Sequence, residues 1–327
     1  MKLKVAIWGI GSHARRYLIP SLTRENSKMK LFGCFSRNEE TLKEISEEYD
    51  LFKFRSSQDL LSSEEIEGII LATPSKLHVP QGISILKHGK HLFSEKSLFL
   101  NSEERNLFPT LSKEKNLRVN ELFMFKFHPQ FQKIIQLLNS GKLGDIKFCN
   151  VSFTIPHLPR TNNRYDPNSG GGALFDVGCY PLAFCHAAFG GDQSIQDSLL
   201  IYDDGYLVDT SGYCTMKAKN GMISNLQWGF GLTYTNKVEI FGSKGNLVSK
   251  LIFSKAPTQS TTIEIFDSKN QSEEFVIEPA NHFDIMFDDL ISKDGLSWVI
   301  DQSTLLEEIF NGARLRMPEA HVDGPPN

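Results

Sequence analysis

Cysteine is sparse in this chain of 327 residues and nowhere spaced to pair. The five cysteines, Cys34, Cys149, Cys179, Cys185 and Cys214, are odd in number and contain no Cys-x-x-Cys pair. That argues against a disulfide framework and a zinc site and suits a reducing cytoplasm, where we expect the protein to work. Basic charge is not in excess either. With a formal charge of -4 there is no stripe able to neutralise a phosphate backbone, so nucleic-acid binding gains no support. Nothing approaches the roughly 18 unbroken apolar residues of a membrane span. The basic start "MKLKVAIWGIG" is cut by glycines and has no small-residue cleavage site, so it does not read as a signal peptide. Internal repeats and low-complexity tracts are absent. What is there is ordinary globular composition, 40% hydrophobic and 23% charged, in a length that fits two cores of roughly 100 to 200 residues each.

The first 122 residues alternate short apolar runs with longer amphipathic ones, the pattern of parallel strands joined by crossover helices. Strands are expected at Leu3–Trp8, Lys30–Phe35, Gly68–Ala72, His91–Phe93 and Leu117–Leu122, with helices at His13–Leu22, Glu39–Tyr49, His78–His88 and Glu103–Glu114. This is a doubly wound α/β domain over residues 1–122. After it the pattern changes. A helix over Pro129–Ser140 is followed by alternating runs, "IKFCNVSFTI", "TSGYCTMKAK", "MISNLQWGFGL", "KVEIF" and "TTIEIF", several separated by turns such as "KNG" and "GSKGN". They predict an α+β domain over 123–317 built on a large, mostly antiparallel open sheet. A last helix is expected at Gln302–Leu315, before a polar tail over 318–327 rich in Pro and Gly.

The stretch "VAIWGIGSHARRYL" sets Gly9, Gly11 and Ala14 between a strand and a helix, the Gly-x-Gly-x-x-Ala turn of dinucleotide-binding domains. Gly9 permits the tight turn, and Gly11 lets backbone approach a pyrophosphate. Ala14 packs the helix onto the strand while its N-terminus, with Ser12 and His13, faces the anion. The second strand ends in Ser36 and Arg37 rather than in a carboxylate. A hydroxyl and a guanidinium suit a 2'-phosphate, so NADP is favoured over NAD. The competing reading is a solvated Arg37, with Glu39 or Glu40 serving the ribose.

Taken in order, the glycine turn, "ATPSKLH", "GKHLFSEKS", "ELFMFKFHP", "SGKLGDI" and "GGGALFDVGCYP" resemble the Gfo/Idh/MocA oxidoreductases over most of the chain. The resemblance implies a Rossmann domain, then an open-sheet domain whose sheet often makes a subunit contact, here a homodimer or homotetramer. It also implies that Lys96, of the Glu-Lys-Pro motif, works beside Asp176 and Tyr180. Hydride transfer to a carbonyl needs a proton at the oxygen. A phenol of pKa near 10 needs a nearby cation to serve, and Lys96 can supply one. By the same resemblance Thr73, Pro74, His78, Glu95 and His128 lie beside the cofactor. Tyr at position 180, with "DP" and the glycines upstream, is similar to NADP-dependent dihydrodiol and xylose dehydrogenases and to sugar ketoreductases. Arg164 and Asp166 of "RYDP" are candidates for substrate hydroxyls, with a polar surface loop as the alternative. No histidine has a second ligand at metal-binding spacing, so no catalytic metal is expected.

Asp176 and Tyr180, four apart, share a face if helical, although Pro181 predicts a distorted or restarted helix there. Two positions depart from the family pattern: Ser97 stands where Pro is usual and Lys126 where Arg is usual. The first leaves the Lys96–Ser97 peptide open to either isomer. The leading expectation is an NAD(P)-dependent dehydrogenase or reductase acting on a sugar, cyclic polyol or related diol. The alternatives are a nucleotide-sensing regulatory protein on the same fold and a ketoreductase of nucleotide-linked sugars.

Overall fold

The computed structural model describes residues 2–103 and 105–318. Apart from Pro318, the expected tail lies outside them. Six strands form a parallel sheet: β1 (Leu3–Trp8), β2 (Met29–Phe35), β3 (Phe52–Lys53), β4 (Gly68–Leu71), β5 (His91–Ser94) and β6 (Val119–Glu121), in the order β3-β2-β1-β4-β5-β6. The reversal of direction beside β1 is the switch point at which open parallel sheets bind ligands. Val5, Ala6, Ile7, Ile69, Ile70 and Leu71 are all fully buried. That is why their runs are apolar without alternation: helices cover both faces.

Three expectations in this half need correction. β3 escaped the reading because two exposed residues carry no pattern; it exists by pairing with Gly33 and Cys34. The helix expected from Glu103 is a 3-10 turn, Arg105–Leu107, leading into Phe108–Glu114, where Pro109 suits a first turn. The first helix opens as a π-helical turn, Ala14–Leu18, before Ile19–Thr23, a widening that periodicity does not reveal.

The second sheet has nine strands: β7 (Ile146–Ile155), β8 (Gln193–Ile201), β9 (Ser211–Ala218), β10 (Ile223–Phe230), β11 (Thr235–Gly242), β12 (Gly245–Lys250), β13 (Thr261–Asp267), β14 (Ser272–Ile277) and β15 (Arg314–Arg316). Their order is β14-β13-β12-β11-β7-β10-β9-β8-β15, antiparallel except for β10 on β7 and β15 on β8. Cys149, Val151 and Phe153 of β7 point inward, where the helices Pro129–Asn139, Cys179–Phe189 and Leu296–Gly312 pack on one face. The opposite face carries a polar ladder, with Asn225 donating to Asn150 and accepting from Thr215. The fold is therefore the expected α/β sheet followed by an α+β layer.

The last helix does not run from Gln302 to Leu315. It spans Leu296–Gly312, and Arg314–Arg316 instead extends the sheet, where the Arg314 guanidinium donates to Asp197 and to the Tyr213 hydroxyl. Pairing at the free edge of β8 outweighs helical continuation past Gly312. Pro167–Phe189 is long and apolar enough by composition to cross a membrane, although Asn168, Ser169 and Asp176 interrupt it. Leu182, Ala183, Phe184 and Cys185 are fully buried against the sheet, so here it is a core segment.

Candidate active site

The glycine turn at the end of β1 is built by steric necessity. Gly9 has φ +103°, and a Cβ there would lie 2.6 Å from both the carbonyl carbon and the oxygen of Ala72. Gly11 has nothing within 4 Å of its Cβ position, leaving its backbone open to the cavity, while Ala14 is buried against the sheet. A pyrophosphate fits this turn by shape and by the helix N-terminus behind it. Gly9→Ala is therefore expected to destabilise the fold by about 3 kcal/mol or more, through overlap and left-handed strain together. A thermal melt checks this; an unchanged midpoint would contradict the geometry.

Between the two sheets lies a cavity of ≈ 790 Å³. From the first domain it is lined by Gly11, Ser12, His13 and Ala14, and by Thr73, Pro74, Glu95 and Lys96. From the second come Arg164, Asp176 and Tyr180. His13 Nε2 lies 3.2 Å from Glu95 Oε1. Burial would lower the imidazole, but the Glu95 carboxylate more than reverses this and holds it above its ordinary value. Burial opposes ionisation of Glu95 as well, yet His13 and then Lys96 keep it below the usual range. Thr73 donates to Gln81 at 2.6 Å, bracing the loop after β4.

Lys96 leaves the end of β5 through a cis peptide to Ser97. Its Nζ donates to Asp176 Oδ1 and to the Asp176 carbonyl, both at 2.6 Å, and the other Asp176 carboxylate oxygen accepts from Arg164 Nε. Burial disfavours the charge on Lys96 and on Asp176. Their attraction, helped by Arg164, wins: Lys96 is held above its usual value and Asp176 below. Asp176 sits in a π-helical turn, Leu174–Gly178, and the α-helix restarts at Cys179 with Pro181 in its first turn, as the sequence predicted. The wide turn keeps residues four apart on one face, so Asp176 and Tyr180 both reach the cavity. Upstream, Gly172 has φ +122° and lies against Asp209, whose carboxylate accepts the Leu174 N–H at 2.7 Å and fixes the start of the turn.

Tyr180 is 8% exposed, its ring edge-on to Phe123 and Phe153 and tilted against Phe253. Among the described residues its hydroxyl has one hydrogen-bonding contact, a long one to Met124 Sδ at 3.9 Å. Lys96 Nζ lies 5.4 Å from the ring centroid rather than on the hydroxyl. Burial first, then neighbouring negative groups, push the phenol well above 10. A phenol held protonated is a proton donor.

Other expected residues stand apart. Ser36 and Arg37 follow β2 and are not among the residues lining the cavity; Ser36 Oγ accepts the Asn38 N–H, and Arg37 is exposed. Glu39 and Glu40 lie in the first turn of the following helix, capped by Asn38. His78 does not reach the cavity. It is buried between loops, its ring nitrogens 2.9 Å from the Ser97 carbonyl and 2.7 Å from that of Thr73, so it joins the two loops. His128 is fully buried and caps Pro129–Asn139 by accepting the Gln130 N–H. Asp166 caps the turn Pro167–Ser169, accepts from Ser169 Oγ and is not among the residues lining the cavity. Lys126 lies 3.2 Å from the ring centroid of Trp298, outside the cavity. Phe253 and Lys255 in the cavity wall carry no local motif; His282, also in the wall, and Glu121, which opens "ELFMFKFHP" and whose carboxylate accepts the Leu98 N–H at 2.7 Å behind the Lys96 loop, had no role assigned to them from the sequence.

Residues 3–123 match the oxidoreductase family with an NAD-binding Rossmann fold, and residues 131–248 match the GFO/IDH/MocA C-terminal domain. The chain belongs to the GFO/IDH/MocA oxidoreductases. Within this family it is 27% identical over 281 residues to a dTDP-3,4-didehydro-2,6-dideoxy-alpha-D-glucose 3-reductase of Actinomadura kijaniata, covering 86% of this chain and 84% of that one. It is 24% identical to a trans-1,2-dihydrobenzene-1,2-diol dehydrogenase of Xenopus tropicalis, over 73% of each chain. The crystal structure of a 3-ketoreductase from Actinomadura kijaniata, in complex with NADP and TDP-benzene, superposes with a TM-score of 0.90 at 26% identity, over 97% of this chain and 99% of that one. In this GFO/IDH/MocA oxidoreductase the glycine turn and Lys96, Asp176 and Tyr180 line one cavity.

Proposed function

We propose that this protein is an NADPH-dependent reductase that converts a ketone of a sugar, or of a related cyclic polyol or diol, to the alcohol. The observation that carries the reading is the buried phenol of Tyr180 beside the Lys96–Asp176–Arg164 cluster, in the cavity that the glycine turn opens onto. The bound nicotinamide would supply the hydride. Tyr180 donates the proton to the carbonyl oxygen. Lys96, gripped by Asp176, sets the electrostatics beneath the ring, and the apolar wall of Phe153 and Phe253 keeps water from the reacting carbon. Arg164 clamps Asp176 and faces substrate hydroxyls. The 3-ketoreductase relatives favour a nucleotide-linked sugar among these substrates. The intact Lys, Asp and Tyr set speaks against a purely regulatory role. We assign the cofactor to residues 1–122 and the substrate and subunit contacts to 123–317, with the polar face of the nine-stranded sheet joining a homodimer or homotetramer.

A screen of NADPH and NADH against free and nucleotide-linked keto sugars, inositols and vicinal diols tests the reading; no turnover with any of them would sink it. In the same assay Arg37→Ala is expected to weaken NADPH by about tenfold or more and to leave NADH unchanged, since only the 2'-phosphate uses the guanidinium. Equal effects on both cofactors would remove Arg37 from the phosphate.

A further inference from the structure

The charges lining the cavity do not balance. Its two carboxylates are committed, Glu95 to His13 and Asp176 to Lys96 and Arg164. Lys255, on the loop after β12, lines the same cavity, and among the described residues no carboxylate lies within ion-pair distance of it. Its Nζ donates to the Ile252 carbonyl at 2.9 Å, which uses one of three N–H groups. The neighbouring imidazoles of His128 and His282 bring no negative charge. Burial pushes the Lys255 ammonium down to about 7, a cost that an anion seated against it would offset. A half-buried lysine with spare donors and no counterion is poorly explained by packing alone. Its neighbour Phe253 packs on Tyr180, while Phe283, also in the cavity wall, stacks on Tyr17 beside the glycine turn. Lys255 thus lines the same cavity as the glycine turn and Tyr180.

We infer that Lys255 seats a phosphoryl group inside the cleft. The group comes either from a phosphate- or diphosphate-bearing substrate or from the diphosphate of the dinucleotide. This rests on the reductase reading for the identity of the cleft, but it is tested by binding rather than turnover. Calorimetric titrations of thymidine diphosphate and of NADPH into wild type, Lys255→Met and Lys255→Arg distinguish the sources. One of the two probes is expected to bind Lys255→Met about tenfold or more weakly, with Lys255→Arg retaining most of the affinity. Loss for thymidine diphosphate assigns the site to substrate; loss for NADPH assigns it to cofactor. If both probes bind Lys255→Met as they bind wild type, or neither binds wild type, the inference is overturned. Thermal melts identify misfolding; should Lys255→Met fail to fold, Lys255→Gln carries the same comparison. Intact, Lys255-dependent binding without turnover in the substrate screen would overturn the reductase reading and leave this inference standing.

Discussion

Tyr180→Phe is expected to lower NADPH-dependent turnover by about 10²- to 10⁴-fold, with the dissociation constant for NADPH unchanged within about twofold. The expectation follows from what the hydroxyl does in the fold, which is little. Among the described residues its one hydrogen-bonding contact is a long one to Met124 Sδ, and the ring is held by Phe123, Phe153 and Phe253. Phenylalanine keeps that packing and removes only the proton donor, so stability should change by less than about 1 kcal/mol. The pH dependence carries a sign as well. Because burial holds the phenol well above 10, its donor form persists throughout the neutral and mildly alkaline range. The rate of ketone reduction should therefore not fall between pH 7 and 9 on account of Tyr180, whereas a lysine-depressed phenol would lose rate there. A Phe variant as active as wild type would remove Tyr180 from proton transfer, and an alkaline limb that vanishes in the Phe variant would show a lower pKa than burial dictates.

Much of this arrangement was legible in the sequence because it rests on local stereochemistry. Gly9 must be glycine for the chain to pass Ala72, so the turn announces itself. The apolar runs of β1, β4 and β5 record burial on both faces, and Pro181 marks where the helix after Asp176 restarts. What was not legible depends on partners distant in sequence. His78 and His128 carry the same side chain whether they face a cofactor or a carbonyl, and only the fold shows that both turn inward. Arg314–Arg316 looks like the end of a helix until the free edge of β8 is beside it. Lys255 sits in "FSKAP", where nothing hints at a cavity, and it becomes conspicuous only when Glu95 and Asp176 are seen to be paired elsewhere. The Lys96–Asp176 pairing is of the same kind: the two residues are far apart in sequence, and only the fold shows that Asp176 takes the lysine's hydrogen bonds while the ammonium lies over the Tyr180 ring.

That last point defines the second large prediction. Lys96→Met should cost about 10²-fold or more in turnover, and the double variant Lys96→Met with Tyr180→Phe should be scarcely worse than either change alone. Groups that act as a unit lose their joint effect once. With Tyr180 gone, the ammonium beneath its ring has no proton transfer left to assist. Independent roles, such as Lys96 binding substrate by itself, would instead multiply the two losses. Stability should follow a different rule. Removing Lys96 leaves the buried Asp176 with Arg164 alone, a loss of up to about 3 kcal/mol, softened because that arginine is partly exposed. The folded carboxyl is depressed, so its share is present above the unfolded value of about 3.9 and disappears as the solution is acidified through the folded value. The folded lysine is raised, so its share is present below about 10.4 and is lost as pH climbs through the folded value. The stability gap between wild type and Lys96→Met should thus form a plateau across neutral pH and narrow at both ends. Chemical denaturation at about pH 2.5, 7 and 11.5 checks this, and a gap that widens in acid would mean that the Lys96–Asp176 pair does not carry the interaction.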